Sequence, residues 1–441
     1  MVSFLSPFMG AAANIALPTI GTEMGLDAVL LSWVATVYLL ASAAFLLPFG
    51  RIADIYGRKK IFLIGVVVFS LSSLGCSLSF SAWMLLVFRA IQGIGSSMIF
   101  GTSVAILTSV FPTGERGRAL GINVAAVYLG LSLGPFLGGL LTQQLGWRSV
   151  FYVNVPLGVI IMLVTLSKLT SEWAEARGEK MDFLGSIVYI FSLLALMYGL
   201  SEIPKTIGFV LMIFGAAALG AFLFLESRTT SPVLHVGLFK NNRTFAFSNL
   251  AALIHYGATF AVGFLLSLYL QYVKGFSPQE SGLILVSQPI VMTIVSPFAG
   301  RLSDRIEPRF VASVGMGCTS FGLGLMTLLD GQTGLPFIIA ALMILGFGFA
   351  LFSSPNTNAI MSSVEKNFLG VASAMVGTMR VTGMMVSMGV AMLLFTLIMG
   401  RTQITPEHAD LFLKSARFSL GIFTGLCFFG IFASLARGKL R

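Results

Sequence analysis

Arg89 and Arg380 each stand inside an otherwise uncharged apolar run of the chain, with no acidic residue in either run. A cation held in hydrocarbon costs about 2.5–3.5 kcal/mol on insertion scales, so each must face a cavity or a partner. His255 occupies a third apolar run and could change charge near neutral pH. None of the 17 acidic residues falls near the middle of a run. Glu23, Asp27, Asp54, Asp182, Glu202, Glu280, Asp304 and Asp330 all sit at run ends or in loops. With its two interior arginines counted together, the inside of the molecule is positive. That favours an anionic or zwitterionic solute, or an anionic lipid headgroup, over a permanent cation.

Other chemistries find no residues. The 3 histidines include His235 and His408 in loops, so no Ser/His/Asp or metal-ligand grouping can be assembled. No GxxxxGK[ST] phosphate loop is present, which argues against ATP hydrolysis. Cys76, Cys318 and Cys427 lie in separate runs without a CxxC pair, which excludes a disulfide framework or zinc site. We therefore expect no enzyme activity, cofactor or metal.

The elements that position the two arginines follow from composition. Of 441 residues, 56% are hydrophobic and 10% charged, with mean hydropathy +0.93. Soluble domains carry about 25% charged residues, so most of this chain does not face water. A bilayer core needs about 20 apolar residues per helix. The runs near 3–20, 30–50, 61–79, 82–104, 119–142 and 149–167 meet that length. So do 183–200 and 207–225, and then 244–270, 281–299, 310–329, 335–355, 370–398 and 415–436. The expected fold class is an all-α integral membrane bundle with 14 transmembrane helices. No cleavable leader is read at the start, and the short first span leaves room for a few missing residues before Met1.

Charge sets the expected orientation. Of the 27 Lys and Arg, nineteen lie in loops on one side, six on the other, and two within spans. The positive-inside rule then places both termini in the cytoplasm of a multi-pass cell-membrane protein. This sidedness also assigns the net charge of +10 to membrane topology rather than to nucleic acid. Residues 168–182 read as a solvated linker of mixed charge, and 226–243 as an amphipathic segment on the inner leaflet.

An internal repeat divides the chain. Gly50-Arg51-Ile52-Ala53-Asp54 closes the second span, and Gly300-Arg301-Leu302-Ser303-Asp304-Arg305 closes the tenth. Two six-helix halves would place such copies six spans apart; here they are eight apart. Two helices are therefore inserted. The expected units are 1–168, 169–243 with the inserted pair, and 244–441.

Four motifs carry a resemblance. The stretch 50–60 reads GRIADIYGRKK: Gly50 and Gly57 allow a tight reversal, and Asp54 can accept from helix amides or pair with Arg58 or Arg118. It resembles the signature loop of the major facilitator superfamily, and the Asp304 loop with Gly300 and Arg305 is its second copy. Arg89, Gln92, Gly93 and Gly95 resemble the superfamily's fourth-helix motif, whose arginine is associated with proton coupling. Gly130, Gly134, Pro135, Gly138 and Gly139 put small residues at fourth positions with a kinking proline, and resemble the antiporter motif of drug exporters. The segment from Trp147-Arg148 to Asn154-Val155-Pro156 resembles the fourteen-span drug:proton antiporter family.

That family usually shows an acidic residue and a threonine just before an NxALP segment in the first span. Asn14-Ile15-Ala16-Leu17-Pro18 is present here, but the two positions hold Met9 and Ala11. The resemblance implies a cavity lined by the first, fourth, ninth and twelfth spans, which nominates Asn14, Gln92, Asn249, His255 and Tyr256. Gln288 and Arg380 are adjacent candidates. The methionines of the thirteenth span, from Met375 to Met392, read mainly as packing.

The expected function is export of small amphiphilic compounds by a secondary transporter. It would exchange them for protons through alternating access, as a monomer whose partners are solute, protons and membrane lipid, with no nucleic acid. The competing expectations are a lipid or hydrophobic or anionic metabolite exporter, and a substrate-specific importer, of the same fold.

Overall fold

The computed structural model describes residues 2–111, 116–229, 232–303, 305–365 and 369–438. The side chains of 116–121, 124, 369 and 406 are outside that description, as is all of Asp304.

The chain is helical throughout, with no strand among the described residues. Hydrocarbon leaves no other way to satisfy each backbone group within its own segment. The first half runs α1 (Val2–Met24), α2 (Ala28–Tyr56), α3 (Arg58–Ser77), α4 (Ala82–Val110), α5 (Arg116–Leu145), α6 (Arg148–Tyr152) and α7 (Asn154–Lys168). Then come α8 (Phe183–Glu202), α9 (Thr206–Glu226) and the short α10 (Val236–Asn241). The second half runs α11 (Arg243–Leu268), which ends in a π turn at Tyr269–Val273, then α12 (Pro278–Leu285) and α13 (Ser287–Ser303). It finishes with α14 (Pro308–Met326), α15 (Leu335–Ser362), α16 (Leu369–Ile398) and α17 (Ala409–Ala436).

Among the described residues, thirteen segments are long and apolar enough to cross a membrane, with α6–α7 counting as one and α12–α13 as another. The fourteenth, α14, is 19 residues long and rich in Gly, Ser and Thr. Packing identifies it as a member of the bundle. Ser313 bonds Ser434 of α17 at 2.9 Å, and Ser320 donates to the Thr424 carbonyl at 3.1 Å.

Local signals set the helix ends. Asp27 caps α2 by accepting from the Leu30 amide at 2.7 Å, and Asn242 caps α11 through the Phe245 amide at 2.9 Å. Ser277 and Glu280 form a reciprocal capping box that starts α12 beside Pro278. Large side chains such as Ile213, Phe214 and Phe429 point outward, where only lipid would cover them.

The architecture is two six-helix bundles with α8 and α9 inserted between them in sequence. The inserted pair leans on both halves: the Tyr189 hydroxyl donates to the Ala43 carbonyl of α2 at 3.2 Å, and Met197 packs against Gly389 of α16. We call the end bearing the α2–α3 turn the basic face and the other end the opposite face. Five hydrogen bonds join the bundles toward the opposite face. Ser267 donates to the Asn14 carbonyl at 2.8 Å, Gln271 to Ile15 at 3.0 Å and Tyr272 to Pro18 at 2.9 Å. Gln403 reaches the Gly25 carbonyl at 3.0 Å, and the Ala28 amide reaches Thr402 at 3.0 Å. Deeper in, Ser132 and Thr293 approach to 3.4 Å.

Candidate functional site

At the basic face, Gly57 takes φ +120°, and a Cβ there would lie 2.6 Å from the Glu172 carboxyl carbon. The positive φ is what calls for glycine, and the absent Cβ leaves room for the Glu172 carboxylate. Arg58 donates to Asp54 at 2.7 Å, to Ser109 at 2.9 Å and through both terminal nitrogens to Glu175 at 2.7 and 2.9 Å. The two-pronged geometry fixes orientation as well as charge. Of the two partners expected for Asp54, Arg58 holds the carboxylate; Arg118's side chain lies outside the described residues. The helix amides are taken by another residue, since Lys59 and Lys60 donate their backbone N–H groups to Glu172 at 2.8 and 3.1 Å.

Glu172, Glu175 and Glu179 were missed by the sequence reading, which made 168–182 a solvated linker. Instead it is a strap. Arg51 pairs with Glu179 at 2.6 Å, the Arg58 amide donates to the Trp173 carbonyl, and the Ala176 amide donates to Asp54. The readable signal was acids three and four apart, opposite Arg51, Arg58, Lys59 and Lys60. Beside the strap, His235 is half-buried; burial first, and the Arg51 charge second, hold its imidazole below the ordinary value of 6.5. In the second copy of the loop, Arg305 is exposed, Gly300 packs near Ser354, and Asp304 lies outside the described residues.

Arg89 does not contribute to a space between the bundles. It is 2% exposed, inside the first bundle. Its guanidinium donates to the Val34 carbonyl at 3.0 Å and to Gln92 at 2.7 Å, and lies 4.4 Å from the Tyr38 ring centroid. Gln92 passes the chain on to Ser73 of α3 at 2.7 Å. Gly93 and Gly95 let α2 and α3 approach, for a Cβ at Gly95 would sit 2.6 Å from the Phe69 nitrogen. The positive interior expected from two arginines therefore reduces to one.

The small-residue face of α5 packs on α1 along its length and on the second bundle toward the opposite face. A Cβ at Gly134 would be 2.6 Å from Ala11, one at Gly138 2.6 Å from Ala12, and Gly130 abuts Phe4. Gly139 faces the other bundle, where a Cβ would be 2.5 Å from the Pro278 carbonyl oxygen. Gly282 of α12 presses in return on Pro135. The glycines thus let α5 pack at backbone distance on both α1 and α12. Trp147 and Arg148 lock the same end, donating to Glu23 at 2.7 and 2.6 Å.

Between the bundles, Tyr128 of α5 packs with Tyr256 of α11, Met292 of α13 and Phe349 of α15. Arg380 of α16 is half-buried, its guanidinium 5.1 Å from the Tyr256 ring centroid. The Tyr256 hydroxyl is 3.4 Å from Ser353. The other nominated residues divide. The Asn14 amide points toward Gly263, 4.0 Å from where a Cβ would stand, and Gln288 is half-buried on α13 beside Gly346. Asn249 donates back to its own helix at Phe245, and His255 is fully buried, stacked 4.0 Å from Phe352. Neither His255 nitrogen has a hydrogen-bond partner. The structure thus gathers Tyr256 and Arg380, adds Tyr128 and Ser353, and places Gln92, Asn249 and His255 within packed bundles.

Two bundles, an inserted pair and a doubled loop motif define a secondary transporter, and comparison with known sequences supplies the family. The sequence model of the Major Facilitator Superfamily matches residues 1–388 and 248–438, and the chain belongs to that family. Its relatives include the multidrug resistance protein Stp of Mycobacterium tuberculosis, 32% identical over 84% of this chain and 70% of that protein. The cephamycin export protein CmcT of Amycolatopsis lactamdurans is 31% identical over 95% of this chain and 88% of its own length. The riboflavin transporter RibZ of Clostridioides difficile is 28% identical over 97% and 93%. Among solved structures, a peptide transporter of the POT group superposes with TM-score 0.71 at 14% identity, covering 99% of this chain and 92% of that one. The family and these relatives are transporters, and the chain is a multi-pass membrane transporter of this class.

Proposed function

We propose that this chain exports small amphiphilic compounds across the cell membrane in exchange for protons, by alternating access. Closure of one face supports the reading: Gly139 against Pro278, Gly282 against Pro135 and five interbundle hydrogen bonds seal the opposite face, while at the basic face Arg58, Lys59 and Lys60 are joined to Glu172 and Glu175 of the strap rather than to the second bundle. Rocking about the Tyr128–Tyr256 layer would exchange the two arrangements. The basic excess on one side supports a cytoplasmic location for both termini. In this scheme residues 1–168 and 244–441 act as the moving bundles, 169–243 joins them, and a monomer suffices.

The test is purified protein in sealed liposomes with an imposed pH gradient and fluorescent amphiphiles as probes. Movement that follows the gradient and collapses with a protonophore supports the reading; gradient-independent movement removes proton exchange from it. The kinship with a riboflavin transporter favours a second reading, a substrate-specific transporter. Uptake into intact cells compared with inside-out vesicles separates import from export.

A further inference from the structure

We propose that Arg380 is the anchor for an anionic group on the transported amphiphile, with Tyr256 and Tyr128 as the aromatic walls beside it. This deepens the export reading and rests on it. Arg380 lies eleven residues after Leu369, at which α16 begins. At a rise of about 1.5 Å per residue, that puts it about 16 Å along the 30-residue helix, well inside both of its ends.

Its surroundings hold no counter-charge. The ion pairs among the described residues all lie at helix ends or in loops, and none includes Arg380. Its buried Nε has no hydrogen-bond partner. The face of Tyr256 gives partial compensation from below. Tyr128 lies within electrostatic reach of Arg380, with its hydroxyl beside Ser296 and Ser353. Arg89, the other intramembrane cation, has its hydrogen bonds filled within its own bundle.

An unfilled guanidinium well inside the helix ends, next to hydroxyl donors and aromatic faces, fits one class of ligand. That ligand carries a carboxylate, sulfonate or phosphate for Arg380 and an apolar ring for Tyr128, Tyr256 and Phe349. Met292, Met379 and Met384 border the same cluster, and flexible thioethers accept rings of different shape.

The experiment uses the full chain in zwitterionic liposomes and three fluorophores built on one ring system, bearing a carboxylate, an uncharged amide or an amine. Wild type is expected to move the carboxylate probe best. Arg380→Gln should lower that rate about ten-fold or more, as expected for losing a hydrogen bond to a charged group. The same change should raise amine transport relative to amide transport, because a repelling charge is removed, and Arg380→Lys should restore part of the carboxylate rate. Elution of each variant as a single folded species in detergent guards against misfolding. If wild type moves the amide or amine probe but not the carboxylate, or if Arg380→Gln moves the carboxylate as well as wild type does, the anion anchor is wrong and export stands. If wild type moves none of the three, both fall.

Discussion

The side-chain amide of Asn154 donates to the sulfur of Met9 at 3.0 Å, joining the WR…N.P segment to the first span. Met9 occupies the position where the resembled antiporters carry an acid, and it is fully buried. The amide is thus placed where a carboxylate would accept it, and a thioether accepts it only weakly.

Met9→Glu should therefore gain a held carboxylate and shift selectivity toward cations. The amine-bearing probe should be moved about ten-fold faster than by wild type, with a new dependence on internal pH. Thermal stability should fall, because a buried carboxylate with one neutral partner is under-compensated. Transport of the three matched probes, with melting curves in detergent, checks both halves.

Closure of the opposite face depends on backbone contact at Gly139. Gly139→Ala places a methyl carbon 2.5 Å from the Pro278 oxygen, and overpacking of this kind costs about 1–3 kcal/mol. The bundles should part there. Maleimide labelling of a cysteine introduced at Ser267, applied from the opposite face, should rise in the Gly139→Ala background.

The strap divides unequally between its partners. The Glu175 side chain is 66% exposed and that of Arg58 only 7%. Glu175→Gln should cost no more than about 1 kcal/mol, the usual worth of an exposed pair. Arg58→Ala removes the shared donor from Asp54, Glu175 and Ser109, and should cost about 1.5–3 kcal/mol. Denaturation midpoints for the two variants, and for the double variant, give the coupling.

Much of this was legible in the sequence. Apolar length gave the spans, and the Asp54 and Asp304 copies gave the inserted pair, because both signals are local. Arg89 shows where legibility ended. Arg89, Gln92, Gly93 and Ser96 share one face of α4, but such a stripe reads alike whether it turns toward a cavity or into its own bundle, and only contacts with Val34 and Gln92 decide. The strap was hidden for the opposite reason. Charged residues in a loop read as solvated until their partners, more than 100 residues away in sequence, are placed beside them.

Acid should loosen the strap region. His235 has its folded pKa depressed by burial and by Arg51, so the fold favours the neutral ring. Below the ordinary value of 6.5 the unfolded chain binds the proton first, and stability falls as pH drops from there toward the folded pKa. His235→Gln should flatten the slope of melting temperature between pH 7 and pH 5, about the window set by that reference value.

The Glu172–Glu179 strap also decides what travels with what. It fastens the start of the inserted pair to the α2–α3 hairpin, so α8 and α9 ride as cargo of the first bundle at that end. On the proposed rocking motion, the Met197–Gly389 contact and the Glu202–Arg401 approach at 3.7 Å would be the bearing along which the second bundle slides. Fourteen spans would work as a two-part hinge with an outrigger, and wear on that bearing would change the speed of the stroke without touching the cargo it carries.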